Sequence, residues 1–316
     1  MRFKKENILV PALWCGPVKP HGNTLLKAIF PDLQVLQKGV DMDIPKHNVQ
    51  TVTGIVICGT GDLPARAMML NMVAHNGESA CQRCYQRGEP REGTFGVRVF
   101  PYLPNRSKEL LPKEGANFNQ DGMYPRDDAN FNVDGIRALT IAKHYAGLKG
   151  TTLLSKLTLL PVKGTGIDAM HLIYAGCGRK MLKMFVDEKH SEVKGSVYKT
   201  HKTIVDERLL NIKPPAYITR VPKSTVELAD WKTSMHKSFF LYYSLPVLKG
   251  IFTDLNLRHF SSLVAAVQLL NSDCVKENDL KNVEDLIDKF MSYFKDLYGC
   301  EFLTLNFHLL CHLPTL

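Results

Sequence analysis

Two short clusters of metal-ligating residues stand far apart in this chain, and they constrain its fold more than any other feature. Cys81-Gln82-Arg83-Cys84 is a C-x2-C pair. His308-Leu309-Leu310-Cys311-His312 is an H-x3-H pair. Two thiolates at the first spacing, in a tight turn, suit two corners of a zinc tetrahedron. On a helix, positions i and i+4 share a face, so both imidazoles of the second pair can reach one ion. Together they supply two thiolates and two imidazoles, a common structural zinc set. No local finger closes over the stretch from Cys84 to His308, so a shared site requires a fold that pins two distant segments together. Each pair alone has other readings. The cysteines can be a redox dithiol or plain buried residues, and the histidines two polar residues on an apolar helix. His75, just before the C-x2-C, is a competing ligand.

The rest of the chain has the composition of a soluble globular protein. Its 316 residues are 45% hydrophobic and 22% charged, which excludes wholesale disorder and allows one large or two ordinary domains. No stretch approaches the roughly 18 apolar residues that span a bilayer, so no membrane role is expected. The basic start is followed by an apolar run, Ile8–Trp14, that Pro11 breaks, and no signal peptide is read. Eight cysteines are too sparse for a disulfide scaffold and point to a reducing compartment. The net charge of +9 favours polyanions, nucleic acid first.

The first segment reads strand, helix, strand, helix. Apolar runs at 8–14 predict a strand, and Leu25, Leu26, Ile29, Leu33 and Leu36 predict a helix behind an Asn23 cap. Thr51–Cys58, rich in Val, Ile and Thr, reads as a buried strand. Leu63-Pro64-Ala65-Arg66 opens a helix expected to run to about Ala74. Arg91 to Tyr102 suits one hairpin. Leu103 to Gly135, dense in Asn, Asp, Gly, Pro and Lys, reads as a long loop. From Ile136 the pattern turns helical. Met170 to Phe185 marks one helix face. Residues 187–223 are polar and basic, and Pro214, Pro215 and Pro222 keep them from forming one helix. Ser224 and Glu227 suit a capping box before Trp231. Three apolar stripes follow, one from Phe260 to Leu270, one from Leu280 to Leu297 and one from Phe302 to Leu313. The expected architecture is a small α/β part followed by a larger helical part.

Asp62 is the best acidic candidate for catalysis. It stands between a predicted strand and a predicted helix, at the edge where functional groups collect in open α/β sheets. It is equally a favoured helix N-cap. Asp168 and His171 open the helix of residues 170–186, where they read as a cap and a helix-end or core histidine, or as a functional pair. Walker A, Gly-x-Gly-x-x-Gly, Gly-x-Ser-x-Gly and His-Glu-x-x-His patterns are absent. That argues against an ATPase, a dehydrogenase, an α/β-hydrolase or a zincin.

Taken in order, these pieces resemble the transposases of CACTA (En/Spm-type) DNA transposons. The resemblance rests on Arg2–Val10 with Leu13-Trp14-Cys15-Gly16, and on Gly61-Asp62-Leu63-Pro64-Ala65 with His75-Asn76-Gly77 and the C-x2-C. It continues through Asp168-Ala169-Met170-His171, Asp206-Glu207-Arg208-Leu209-Leu210 with Ile212-Lys213-Pro214-Pro215, and Tyr242–Leu248. It ends on Asn306–Pro314. The family is similar to cut-and-paste transposases with a ribonuclease-H-like core and an inserted helical domain. The resemblance implies an α/β + α fold, a partial ribonuclease-H-like core interrupted by a large, mainly helical insertion. It implies a partial core at 1–88, the insertion at 89–300 and a returning core helix at 301–316. It also implies that Cys81, Cys84, His308 and His312 jointly bind one structural Zn2+, because the inserted domain lies between the ligand pairs.

The family's active site is two aspartates and a glutamate around two divalent ions, and Asp62 matches the second aspartate. The first aspartate is expected upstream of Met1 and the glutamate beyond Leu316. Asp32, Asp41 and Asp43 are the early alternatives, none at the expected place. One carboxylate does not hold two Mg2+ ions against water. The resemblance therefore implies a DNA-binding, transposase-derived nuclear protein, compatible with a homo-oligomer, with Mg2+ chemistry only where the full trio is present. Lys194, Lys199 and Lys202 of the basic run are its candidate DNA contacts. The competing reading is a protein-interaction scaffold with a structural zinc and no DNA role. A third, an active nuclease, needs the missing acids from elsewhere in the chain or from a partner.

Overall fold

The computed structural model describes residues 10–45, 48–104, 123–157, 159–218 and 220–315. Ile8 and Leu9 of the first predicted strand lie outside them, as do Arg2–Asn7 and residues 105–122 of the predicted loop, and residues 10–14 of that predicted strand form no strand. The described residues form two compact units, 10–87 with 123–166 and 88–104 with 167–315. They are mainly helical, with two antiparallel two-stranded sheets.

In the first unit, α1 spans Gly22–Lys38. Its cap is His21, whose Nδ1 accepts the N–H of Asn23 at 3.3 Å, and not Asn23 itself. Asn23 has another task, because its amide donates to Thr151 O at 3.1 Å and accepts from Leu153 N at 3.1 Å. Strands β1 (Val40–Ile44) and β2 (Asn48–Val52) form a hairpin with Val40 opposite Val52. The expected buried strand at 51–58 is corrected here. Pairing ends at Val52, and Ile55 and Ile57 are 62% and 76% exposed. A strand buried on both faces needs neighbours and covering layers, and a two-stranded hairpin supplies neither.

Helix α2 (Leu63–Met69) is shorter than its sequence suggests. The chain then turns so that Val73 N–H bonds Gly147 O at 2.8 Å. Gly147 has a φ of +85°, and a Cβ there would lie 2.1 Å from Ser79 O, so the close approach requires glycine. Helix α3 (Asp128–Thr140) replaces the C-terminal part of the predicted long loop. Asp127 caps it by accepting the N–H of Asn130 at 2.8 Å. Phe131, Asp134, Gly135 and Ala138 lie on its buried face, at a spacing that the dense Asn and Asp content disguises. Ala67, Leu70, Met72, Phe131, Leu148 and Val162 form the core of this unit.

In the second unit, β3 (Glu89–Pro90) and β4 (Arg98–Val99) make a short hairpin whose first strand lies just before the predicted 91–102. The helix from Met170 begins with wide π-type turns through Gly178 and continues as α4 (Arg179–Val186). A Cβ on Gly176 would meet His171 O at 2.7 Å and the Asn306 side chain at 2.9 Å. Glycine there lets the later residue pack close. Helix α5 (Tyr198–Leu210) lies inside the basic stretch. Ser224 caps a short 3-10 turn at Thr225–Asp230 by accepting from Val226 N. Glu227 pairs with Lys223 instead of completing a capping box.

Helices α6 (Thr233–Ser238) and α7 (Ser244–Leu248) are joined by another wide turn. Helices α8 (Asp254–Leu270) and α9 (Glu277–Tyr298) pack on each other and bury the predicted stripes, Phe260, Leu263, Val264 and Val267 against Val283, Ile287, Phe290 and Phe294. The final stripe is broken into a 3-10 turn at Cys300–Phe302 and the short α10 (Leu305–Leu310). No helix of the described residues is long and apolar enough to cross a membrane.

Candidate metal centre

The cysteine pair sits on a loop held from several sides. Residues 83–85 run antiparallel to 124–126, with Tyr85 N–H bonding Tyr124 O at 3.0 Å and Arg126 N–H bonding Arg83 O at 2.8 Å. The Arg126 side chain closes the turn. Its Nε donates to Cys81 O at 3.1 Å and Cys84 O at 3.0 Å, and Nη2 donates to Ala146 O at 2.6 Å. Its guanidinium lies 4.4 Å from the centre of the Tyr85 ring, and Tyr85 O–H donates to Asp134 at 2.8 Å. The Arg83 guanidinium reaches the other way, to Val162 O and Thr165 O at 2.7 and 2.6 Å.

This frame places the two Sγ atoms 3.5 Å apart with both cysteines fully buried. The Arg83 N–H points to Cys81 Sγ at 3.4 Å, a backbone N–H···S contact that suits a thiolate better than a thiol. Burial pushes the Cys84 thiol well above its ordinary pKa, and the hydrogen bond and charge of Cys81 push the same way. The backbone N–H of Gln86 and the Arg126 charge oppose them. A cation bound between the sulfurs would reverse that balance, because the metal ligand is the thiolate.

The histidine pair sits at the end of α10. His308 is in its last turn and His312 follows it by four positions. Their Nε2 atoms are 3.2 Å apart, and the rings are 2% and 7% exposed. Phe100 stacks on His308, with ring centres 5.2 Å apart and planes at 28°. That contact fixes the imidazole plane and keeps Nε2 turned toward His312.

Cys81, Cys84, His308 and His312 form one buried group whose ligand atoms all lie within 4.8 Å of one another, and it could hold a metal ion. Zinc bonds of about 2.3 Å to sulfur and about 2.0–2.1 Å to nitrogen give tetrahedral edges of roughly 3.3–3.8 Å. The nitrogen–nitrogen and sulfur–sulfur separations are close to those edges. The widest spacing is somewhat looser than the roughly 4 Å of a closed tetrahedron. His75, the competing ligand, is exposed and stands outside the group.

The acidic candidates are placed differently. Asp62 caps α2, accepting the N–H of Ala65 at 2.8 Å. It lines a cavity of about 800 Å3 together with His21, Met68, His75 and Lys149. Asp41 accepts the Thr51 hydroxyl at 2.7 Å on the hairpin, and Asp32 and Asp43 are exposed. Among the described residues, none of these acids joins Asp62 in a group of three or more ligating side chains. Asp168 accepts the Met170 N–H at 2.9 Å and pairs with His171 Nδ1 at 2.6 Å, so the two hold the helix start. Burial raises the Asp168 pKa, but the hydrogen bonds from His171 and Met170 outweigh it and hold the carboxyl below its ordinary value.

The three candidate lysines divide. Lys199 pairs with Glu192, and Lys202 lies 4.8 Å from the Tyr198 ring centre. Lys194 is exposed on the rim of a second cavity. Sequence reading missed Arg126 and Phe100, which are distant along the chain from the ligands they orient. Neither carries a motif, so nothing in the sequence marks them. No protein-family model, no curated protein and no solved structure matches the chain.

Proposed function

We propose that this chain is a transposase-derived DNA-binding protein of the CACTA kind, and that Cys81, Cys84, His308 and His312 hold one structural zinc ion. The observation that carries the zinc assignment is the gathering of a C-x2-C and a distant H-x3-H into one buried group. Two thiolates and two imidazoles favour zinc over magnesium or calcium, which prefer oxygen. Four protein ligands leave no open position, so the ion serves structure and not catalysis. When bound, it supplies folding free energy.

Under this reading the fold descends from a ribonuclease-H-like core with a helical insertion between the ligand pairs, and the protein acts in the nucleus. Asp62 matches one catalytic acid of that family, and among the described residues no other acid joins it in a group of three or more ligating side chains. A single carboxylate already engaged as a helix cap does not assemble a two-metal site. DNA binding is supported by the net charge of +9 and by the basic residues of 187–223. The scaffold reading has one observation in its favour, the engagement of Lys199 and Lys202 within the protein itself.

The test is duplex binding at about 50 mM salt combined with strand-cleavage assays in Mg2+ and Mn2+. Salt-sensitive binding without nicking or joining is the expected result. Cleavage that disappears in Asp62→Ala contradicts the inactive assignment, and absent binding gives the scaffold reading the advantage.

A further inference from the structure

The second unit carries a concentration of positive charge that the metal centre does not use. Its focus is Phe302. The Arg91 guanidinium lies 5.7 Å from the centre of this ring, and the Lys180 ammonium lies 4.6 Å from it. His190 meets the same ring edge-on at 5.3 Å, and its Nε2 is 3.2 Å from Lys180 Nζ. An ammonium only donates, so Nε2 accepts and the imidazole proton sits on Nδ1.

Arg91, His190 and Phe302 border a cavity of about 520 Å3 whose wall also includes Lys189, Lys194 and Lys295. Three carboxylates share the wall, Glu192, Asp296 and Glu301, but Glu192 is already paired with Lys199. Positive charge therefore prevails. Burial lowers the Lys180 pKa, and Arg91 and Lys183 lower it further against Asp187 and Glu301. Burial likewise lowers the His190 pKa, and Lys180, Lys183 and Arg91 outweigh Asp187.

Cations gathered this closely repel one another, and the repulsion is relieved when an anion is seated among them. The cavity has the size of a small-ligand site, larger than a bare ion needs. We propose that the cavity bounded by Arg91, Lys189, His190, Lys194 and Lys295 is a seat for a phosphate group. The phosphate belongs to a DNA backbone or to a free phosphorylated molecule. The DNA alternative rests on the function proposed above; the phosphate seat itself does not.

The zinc-loaded full chain is titrated with pyrophosphate and with a labelled duplex, and compared with a Lys189→Gln, Lys194→Gln, Lys295→Gln triple variant. All three lysines are exposed, so their exchange leaves the core intact. Lys281→Gln with Lys289→Gln, both exposed and outside the cavity lining, is the control. The expected result is at least about tenfold weaker binding in the triple variant and little change in the control. For duplex, the log–log salt slope should fall by about 2–3 in the triple variant. Cavity-dependent pyrophosphate binding without duplex binding supports the seat with a free phosphate as its source, and counts against the DNA function. Duplex binding that pyrophosphate displaces supports the seat and names the backbone as its source. Duplex binding equal in wild type and triple variant overturns the seat while sparing DNA binding. Failure of the wild type to bind either probe overturns both.

Discussion

Arg126 shows how a single side chain can organise a site it does not enter. It is 5% exposed and bonds three carbonyls, two of them those of the cysteines themselves. Arg126→Ala removes three hydrogen bonds from a charged donor, each worth about 1.5–3 kcal/mol. Urea unfolding should show a loss of about 3 kcal/mol or more in total. Arg126→Lys should recover only part of it, because a point ammonium cannot reproduce the fork. Zinc affinity, measured by competition with a chelator, should fall in the order wild type, Lys, Ala. Equal affinity in all three would show that the loop holds its shape without the guanidinium. Phe100 acts similarly on the other pair, since its stacking fixes the plane of His308.

At the scale of elements, α8 and α9 carry a titratable group into the apolar core. His259 is 4% exposed, with Nε2 2.7 Å from Phe290 O and Nδ1 3.2 Å from Tyr298 Oη. Neutral imidazole satisfies both contacts by donating from Nε2 and accepting at Nδ1. Burial pushes its pKa down to about 4, against the weaker upward pull of the Phe290 carbonyl. His236 is lowered to about 4 as well, by burial and then by Arg179 and Lys183. Between pH about 4 and 6.5 the unfolded chain binds protons at these histidines and the folded chain does not. Stability is therefore complete above the unfolded pKa and falls as pH drops through that window, by up to about 3 kcal/mol per group. His259→Phe should lower stability at pH 7 and flatten the acid slope. Any proton-linked loss of the proposed ion is common to both proteins, so the difference between their slopes isolates His259. Identical slopes would contradict its neutral, buried state.

The same two helices were the most legible part of the sequence. Phe260, Leu263, Val264 and Val267, with Val283, Ile287, Phe290 and Phe294, are apolar at helical spacing over several turns, and all are buried. Where local chemistry competes with pattern, reading fails. Asp127, Asn130 and Asp134 look like loop residues, yet they cap or line α3, whose buried face is set by Phe131 and Ala138. Ile55 and Ile57 look like part of a core strand, but a strand is made by its neighbours, and both lie beyond the end of β2 and are exposed. The Cys81–Cys84 and His308–His312 pairs were legible as candidates because both spacings suit a shared ion, although each pair alone has other readings. Arg126, Phe100 and the cations around Phe302 were not, because only the fold assembles them.

Across the whole molecule, the excess of positive charge gives the DNA proposal a quantitative form. Neutralising about five phosphates predicts a log–log salt slope of about −4 to −5 on duplex DNA, the same for unrelated sequences. Replacing Lys194, Lys199 and Lys202 together by Glu should weaken binding to all sequences alike. Most of the effect should come from Lys194, since the other two are engaged within the protein. A slope near zero, or a loss confined to one sequence, would contradict nonspecific backbone binding. Metal and fold are coupled in this account, because a site that exists only in the folded chain returns its binding free energy as stability. Cys84→Ser and His312→Ala should each lose the ion and lower the unfolding midpoint, and chelation of the wild type should do the same. The most direct test of the central claim is elemental analysis with zinc-edge X-ray absorption on freshly purified protein. The account predicts one zinc per chain with two sulfurs at about 2.3 Å and two imidazole nitrogens at about 2.0–2.1 Å; protein free of zinc, or a first shell without sulfur, would contradict it.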